Sequence, residues 1–123
     1  MTGPAVPTYG TVVLDCPEPE RLADFYAALL EWPEPVVDED GDWVDLRGPK
    51  GEAISFQRVP DYRPPEWPGQ VVPQQLHLDL YVSDLDAGQR RALEIGAKLI
   101  DDSSETFRVY ADPAGHPFCL CRC

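Results

Sequence analysis

The stretch TVVLDCPEPERLADFYAALL, residues 11–30, is answered by HLDLYVSDLDAGQRRALEIG, residues 77–96. Each opens as an alternating run and turns into a segment with apolar residues at helical spacing, so each reads as a strand followed by a helix. Thr11 and His77 stand at the heads of the two runs, 66 positions apart. The echo continues downstream. GPKGEAISFQRV, residues 48–59, matches DPAGHPFCLCRC, residues 112–123, with Pro49 over Pro113 and Gly51 over Gly115 at an offset of 64. Two long units are too few for a solenoid or propeller, which stack three or more short repeats. They describe one pseudo-twofold domain with its site between the halves.

The local signals agree with that reading. In the first run Val12 and Leu14 face one way, and Thr11, Val13 and Asp15 the other. Pro17 and Pro19 stop the strand and open a helix, where proline is tolerated in the first turn. Leu22, Phe25 and Leu29 carry that helix to about Glu31, and Trp32-Pro33 ends it. Val36-Val37, residues 42–47 and residues 52–59 then read as a three-stranded meander, with Asp40-Gly41 as a hairpin turn. In the second half Leu76, Leu78, Leu80 and Val82 oppose His77, Asp79 and Tyr81. Ser83 is placed to cap a helix with Asp86 in its first turn, and Gly96 to stop it. Residues 97–100, 106–111 and 117–122 supply three more strands. The fold class is α+β: two βαβββ modules, at about 9–59 and 75–123, form one domain over residues 1–123 around a concave cavity. The proline-rich segment 60–74 connects them. Each helix should cover one face of its sheet, leaving the opposite faces to meet across the cavity.

Composition restricts the function. The chain has 123 residues, 43% hydrophobic and 26% charged, which suits a globular domain. No apolar run is long enough to span a membrane, and the N-terminus lacks the basic and apolar segments of a secretory signal. A cytoplasmic location is expected. The formal net charge of −12 repels nucleic acid and anionic lipid and favours a cationic small molecule. Cys119, Cys121 and Cys123 alternate on the last strand and share a face. Same-face neighbours lie about 6.6 Å apart, too far for a bridge that needs Cβ atoms about 3.8 Å apart. No Cys-x-x-Cys spacing suggests structural zinc, and Cys16 reads as a small buried filler. No phosphate loop, nucleophile elbow or dinucleotide fingerprint is present.

VVLDCPEPERLADFYAALLEW, HLDLYVSDLDA and DPAGHPFCL, in this order and spacing, make the chain resemble the vicinal-oxygen-chelate superfamily. That superfamily includes glyoxalase I, extradiol dioxygenases and bleomycin-resistance proteins, and the single-domain glyoxalase-like proteins are the most similar. The resemblance spans Tyr9 to Cys123. It implies four metal-ligand positions on the cavity faces, typically His or Gln and Glu in module one, then His and Glu in module two. These positions fall on Thr11, Ser55, His77 and Cys119. Only His77 keeps the family's ligand. Hydroxyls are poor ligands at neutral pH, so the resemblance implies a cavity with no cofactor and no metal, unless Gln57 restores one contact.

The expected function is metal-independent binding of a small aromatic or cationic organic molecule, with a homodimer as the assembly and neither nucleic acid nor membrane as partner. Thr11, Ser55, Gln57, His77, Asp79 and Cys119 are the expected ligand-binding residues, joined by Trp67 from the connector. His116 is expected to brace the final turn. The alternative is an isomerase, lyase or dioxygenase with His77 as the catalytic acid–base and a divalent metal in an atypical site. A third reading is an interaction module without a closed pocket.

Overall fold

The computed structural model describes residues 4–6 and 8–122; Cys123, expected on the last strand, lies outside them. The element order is β1 (Val12–Cys16), α1 (Pro19–Leu30), β2 (Val36–Val37), β3 (Trp43–Arg47), β4 (Ala53–Arg58), β5 (Leu78–Val82), α2 (Leu85–Ile95), β6 (Lys98–Asp101), β7 (Phe107–Ala111) and β8 (Pro117–Arg122). This is βαβββ twice. The strands form two four-stranded sheets in the orders β1-β4-β3-β2 and β5-β8-β7-β6. In both, the first and last strands of the module pair in parallel and the rest are antiparallel. Val13 pairs with Ser55, and Asp79 with Cys119, so the two repeat offsets land on equivalent register positions. Thr11 and His77 each immediately precede their strands.

The helix ends follow local chemistry. Pro19 sits in the first turn of α1, and Glu31 closes it in a left-handed conformation, its N–H returning to the Ala27 carbonyl. In α2 the cap is Asp84 rather than Ser83: the Asp84 carboxylate accepts from the Ala87 N–H at 3.1 Å. A carboxylate is the stronger acceptor and suits the positive end of the helix. Gly96, at φ 127°, ends α2 where an ordinary side chain would be strained.

Alternation along the strands separates two kinds of sheet face. Leu14, Cys16, Val44, Leu46, Ile54 and Phe56 turn toward the helices in module one, as do Tyr110, Phe118 and Leu120 in module two, and all belong to one core with α1 and α2. Tyr26 of α1 lies between the modules. Its ring centroid is 6.0 Å from Phe56 of the first sheet and 6.1 Å from Phe118 of the second. The helices therefore bind the modules together, and the outer sheet faces bear the candidate residues. Leu76 departs from the expected leucine face. It precedes β5, in the connector, and is 54% exposed, while Leu78, Leu80 and Val82 pack against the core. Among the described residues no helix is long and apolar enough to cross a membrane.

Candidate functional site

The outer face of the first sheet is a closed hydrogen-bond chain. Ser55, 1% exposed, donates its hydroxyl to Asp45 Oδ1 at 2.6 Å. The Trp43 indole N–H reaches the same oxygen at 3.0 Å. Ser55 has one proton and gives it to Asp45, so the Thr11 hydroxyl shares its own proton between Ser55 Oγ and the Val12 carbonyl, each 3.1 Å away. Asp45 was not singled out in the sequence, although DWVDLR places it and Trp43 at alternate positions facing Ser55's side. Gln57, in register with Asp15 and Trp43, is exposed on the same face.

A second group forms on the outer face of the other sheet. His77 Nε2 lies 3.3 Å from Asp79 Oδ1. The Trp67 ring stacks on the His77 imidazole, with centroids 4.9 Å apart and planes at 21°. The candidate ligand atoms of His77, Asp79 and Cys119 lie within 4.8 Å of one another. The structure thus brings Trp67, Asp79 and Cys119 to His77, and joins Thr11 to Ser55 on the other sheet. Among the described residues no hydrogen bond, ion pair or ring contact links the two groups.

Their electrostatics favour neutral thiols. Burial, then the nearby Asp79 and Cys121, pushes the Cys119 thiol up to about 12. Burial, then Asp112 and Asp15, pushes Cys16 up to about 11. Cys16, Cys119 and Cys121 are free. Because the thiolate is the reactive form, Cys16 and Cys119 should resist iodoacetamide at pH 8 in the native protein and react once it is unfolded. Mass mapping of the alkylated peptides checks this; rapid native labelling of Cys119 would mean a thiolate site.

The donor set can be compared with the ions such positions hold. Manganese and other hard ions prefer a shell of carboxylate, carbonyl and water oxygens. Module one offers two hydroxyls already engaged with each other and with Asp45. Module two offers one imidazole, one carboxylate and one thiol, a set that could hold a softer ion such as zinc with water as a fourth ligand. A hard-ion site does not fit; a three-donor soft site does.

His116, expected to brace its turn, also ties the modules. Its N–H donates to Asp112 Oδ1 at 3.0 Å, and its Nε2–H to the Asp15 carbonyl at 2.6 Å.

Residues 11–121 match the family model described as a glyoxalase-like domain. No curated protein sequence matches the chain significantly. Among solved structures, it is similar to the fosfomycin resistance protein FosX from Mesorhizobium loti, at TM-score 0.70 and 10% identity over 94% of this chain and 91% of that one. It is similar to a mutant FosX from Listeria monocytogenes, complexed with Mn(II) and 1S,2S-dihydroxypropylphosphonic acid, at TM-score 0.69 and 10% identity over 94% and 90%. A glyoxalase/bleomycin resistance protein/dioxygenase family enzyme from Burkholderia phytofirmans gives TM-score 0.69 and 15% identity over 91% and 95%. At these identities the likeness is one of fold.

Proposed function

Because the chain belongs to the glyoxalase-like domain family, we propose that it binds a small aromatic or cationic organic molecule, without a resident metal, at the Trp67–His77–Asp79–Cys119 corner. The observation that carries this reading is the Trp67 ring held against His77 beside a half-exposed carboxylate. Stacked aromatic faces receive a flat ring, and Asp79 offers a counter-charge to a cation. Cys119, kept as a thiol, supplies a neutral floor.

A homodimer is part of this proposal. Tyr81 and Phe107 on the second outer face are 75% and 40% exposed, apolar side chains that a second copy would cover. We place the protein in the cytoplasm, where its three described cysteines would stay reduced.

The second reading is catalytic: an isomerase, lyase or dioxygenase using His77, with a soft metal on His77, Asp79 and Cys119. The 4.8 Å clustering of those donors favours it. Fluorescence titration with proflavine, a planar cation, separates the two. Wild type should bind saturably, and Trp67→Ala and His77→Ala should each weaken binding by roughly two- to tenfold, the worth of an aromatic contact. His77→Ala should cost about 1–2 kcal/mol, since it loses the stack on Trp67 and a surface pair with solvated Asp79. Stoichiometric zinc in native mass spectrometry would replace the metal-free reading, and wild-type affinity in both variants would move the site away from this corner.

A further inference from the structure

Beside β1 lies a cavity separate from the Trp67–His77–Asp79–Cys119 corner. It has a volume of about 340 Å³, within the ~300–1,000 Å³ of small-molecule sites. Val13 and Asp15 of β1, Tyr62 and Gln74 of the connector, Leu76 ahead of β5, and His116 line it. Neither Trp67, His77, Asp79 nor Cys119 lines it.

Its polar groups are mostly acceptors. The Tyr62 hydroxyl spends its proton on the Ala114 carbonyl at 2.8 Å and lies 3.3 Å from His116 Nε2, leaving one lone pair. His116 spends its Nε2–H on the Asp15 carbonyl, leaving Nδ1 as an acceptor in the neutral ring. The carboxylates of Asp15 and Asp61 also line the cavity, against the single guanidinium of Arg63. Gln74 adds the decisive observation. Its side-chain Oε1 is buried and, among the described residues, has no hydrogen-bond partner. A buried unpaired acceptor carries its full desolvation penalty. Turning the Gln74 amide into the cavity, toward a ligand N–H, would remove that penalty.

We propose that this cavity is a second small-molecule site, selective for a primary ammonium compound with a small apolar body. Gln74 and Asp15 receive the ammonium group, and Val13 and Leu76 cover the apolar part. The chain's net charge of −12 strengthens the preference for a cation.

The test is calorimetric and NMR titration of the full chain with phenethylammonium, with 3-phenylpropionate as the charge-reversed probe. The cation should bind saturably and shift the Gln74 side-chain amide resonances, while the anion should not. Gln74→Leu, which removes an unpartnered oxygen and so should keep the melting temperature, should weaken binding roughly fivefold or more, as should Asp15→Asn. Trp67→Ala should leave this affinity unchanged, which separates the site from the one at His77. Equal binding of the two probes, wild-type affinity in both cavity variants, or no saturable binding of the cation would each overturn the proposal.

Discussion

Phe118→Ala should destabilise the protein by about 3–5 kcal/mol, a large part of the stability of a domain this size. The ring is fully buried, with centroids 5.4 Å from Tyr110, 6.0 Å from Phe25 and 6.1 Å from Tyr26. Its neighbours belong both to its own sheet and to the helix of the other module. A cavity here would open in the seam that joins the halves, where relaxation would have to move two sheets and a helix together. Urea unfolding followed by far-UV circular dichroism checks the value. A loss below about 1 kcal/mol would show that the seam collapses freely around the void.

Asp112→Ala should cost about 3 kcal/mol. The Asp112 carboxylate is 4% exposed. It accepts from the Tyr26 hydroxyl at 2.6 Å, and its other oxygen accepts from the Ala114 and His116 N–H groups at 2.9 and 3.0 Å. Alanine leaves the Tyr26 hydroxyl without this acceptor in a fully buried position and unties the β7–β8 turn. Tyr26→Phe removes the donor alone and should cost less, about 1–2 kcal/mol. Burial holds the Asp112 carboxyl above its ordinary range, against the opposing pull of the Tyr26 hydrogen bond. The native state therefore takes up this proton at a higher pH than the unfolded chain. Between the two pKa values, stability from Asp112 falls as pH rises. The advantage of wild type over Asp112→Ala should accordingly shrink across that interval, and paired urea melts at several pH values measure it. A flat or opposite trend would place the carboxyl's native pKa at or below its unfolded one.

The modules were legible because their signals are local and periodic. Alternation marks β1, β4, β5 and β8, Pro19 opens α1, and Gly96 ends α2. Period-2 alternation also put Ser55 and Cys119 on the faces where the structure has them. What was not legible depends on residues far apart in the chain. Tyr26 reaches Asp112 across 86 residues, and His116 reaches the Asp15 carbonyl across 101. Neither pairing has a pattern within one segment. The connector has no period at all, so Leu76 was assigned to a strand face by extrapolating an alternation that starts two residues later. Trp67 could be picked out only as a large aromatic in a proline-rich stretch; its stacking on His77 depends on how that stretch folds back. The Thr11–Ser55–Asp45 chain is intermediate. Its members could be read as facing one side, but the sharing of one carboxylate oxygen by Ser55 and Trp43 comes from register.

The parallel pairing within each module also sets an order of events during synthesis. Val12 is partnered by Ile54, and Leu78 by Phe118, so a chain leaving the ribosome holds β1 without its neighbour until β4 has been made. In the second module β8 lies between β5 and β7. Until it arrives, β5 is a lone strand and β6–β7 a bare hairpin, too little to persist in water. Each sheet is thus completed by the strand made last, and the cost of closing so long a loop falls before the parallel pairing can compensate. Two waiting periods, each ended by one strand, are built into the synthesis of the chain.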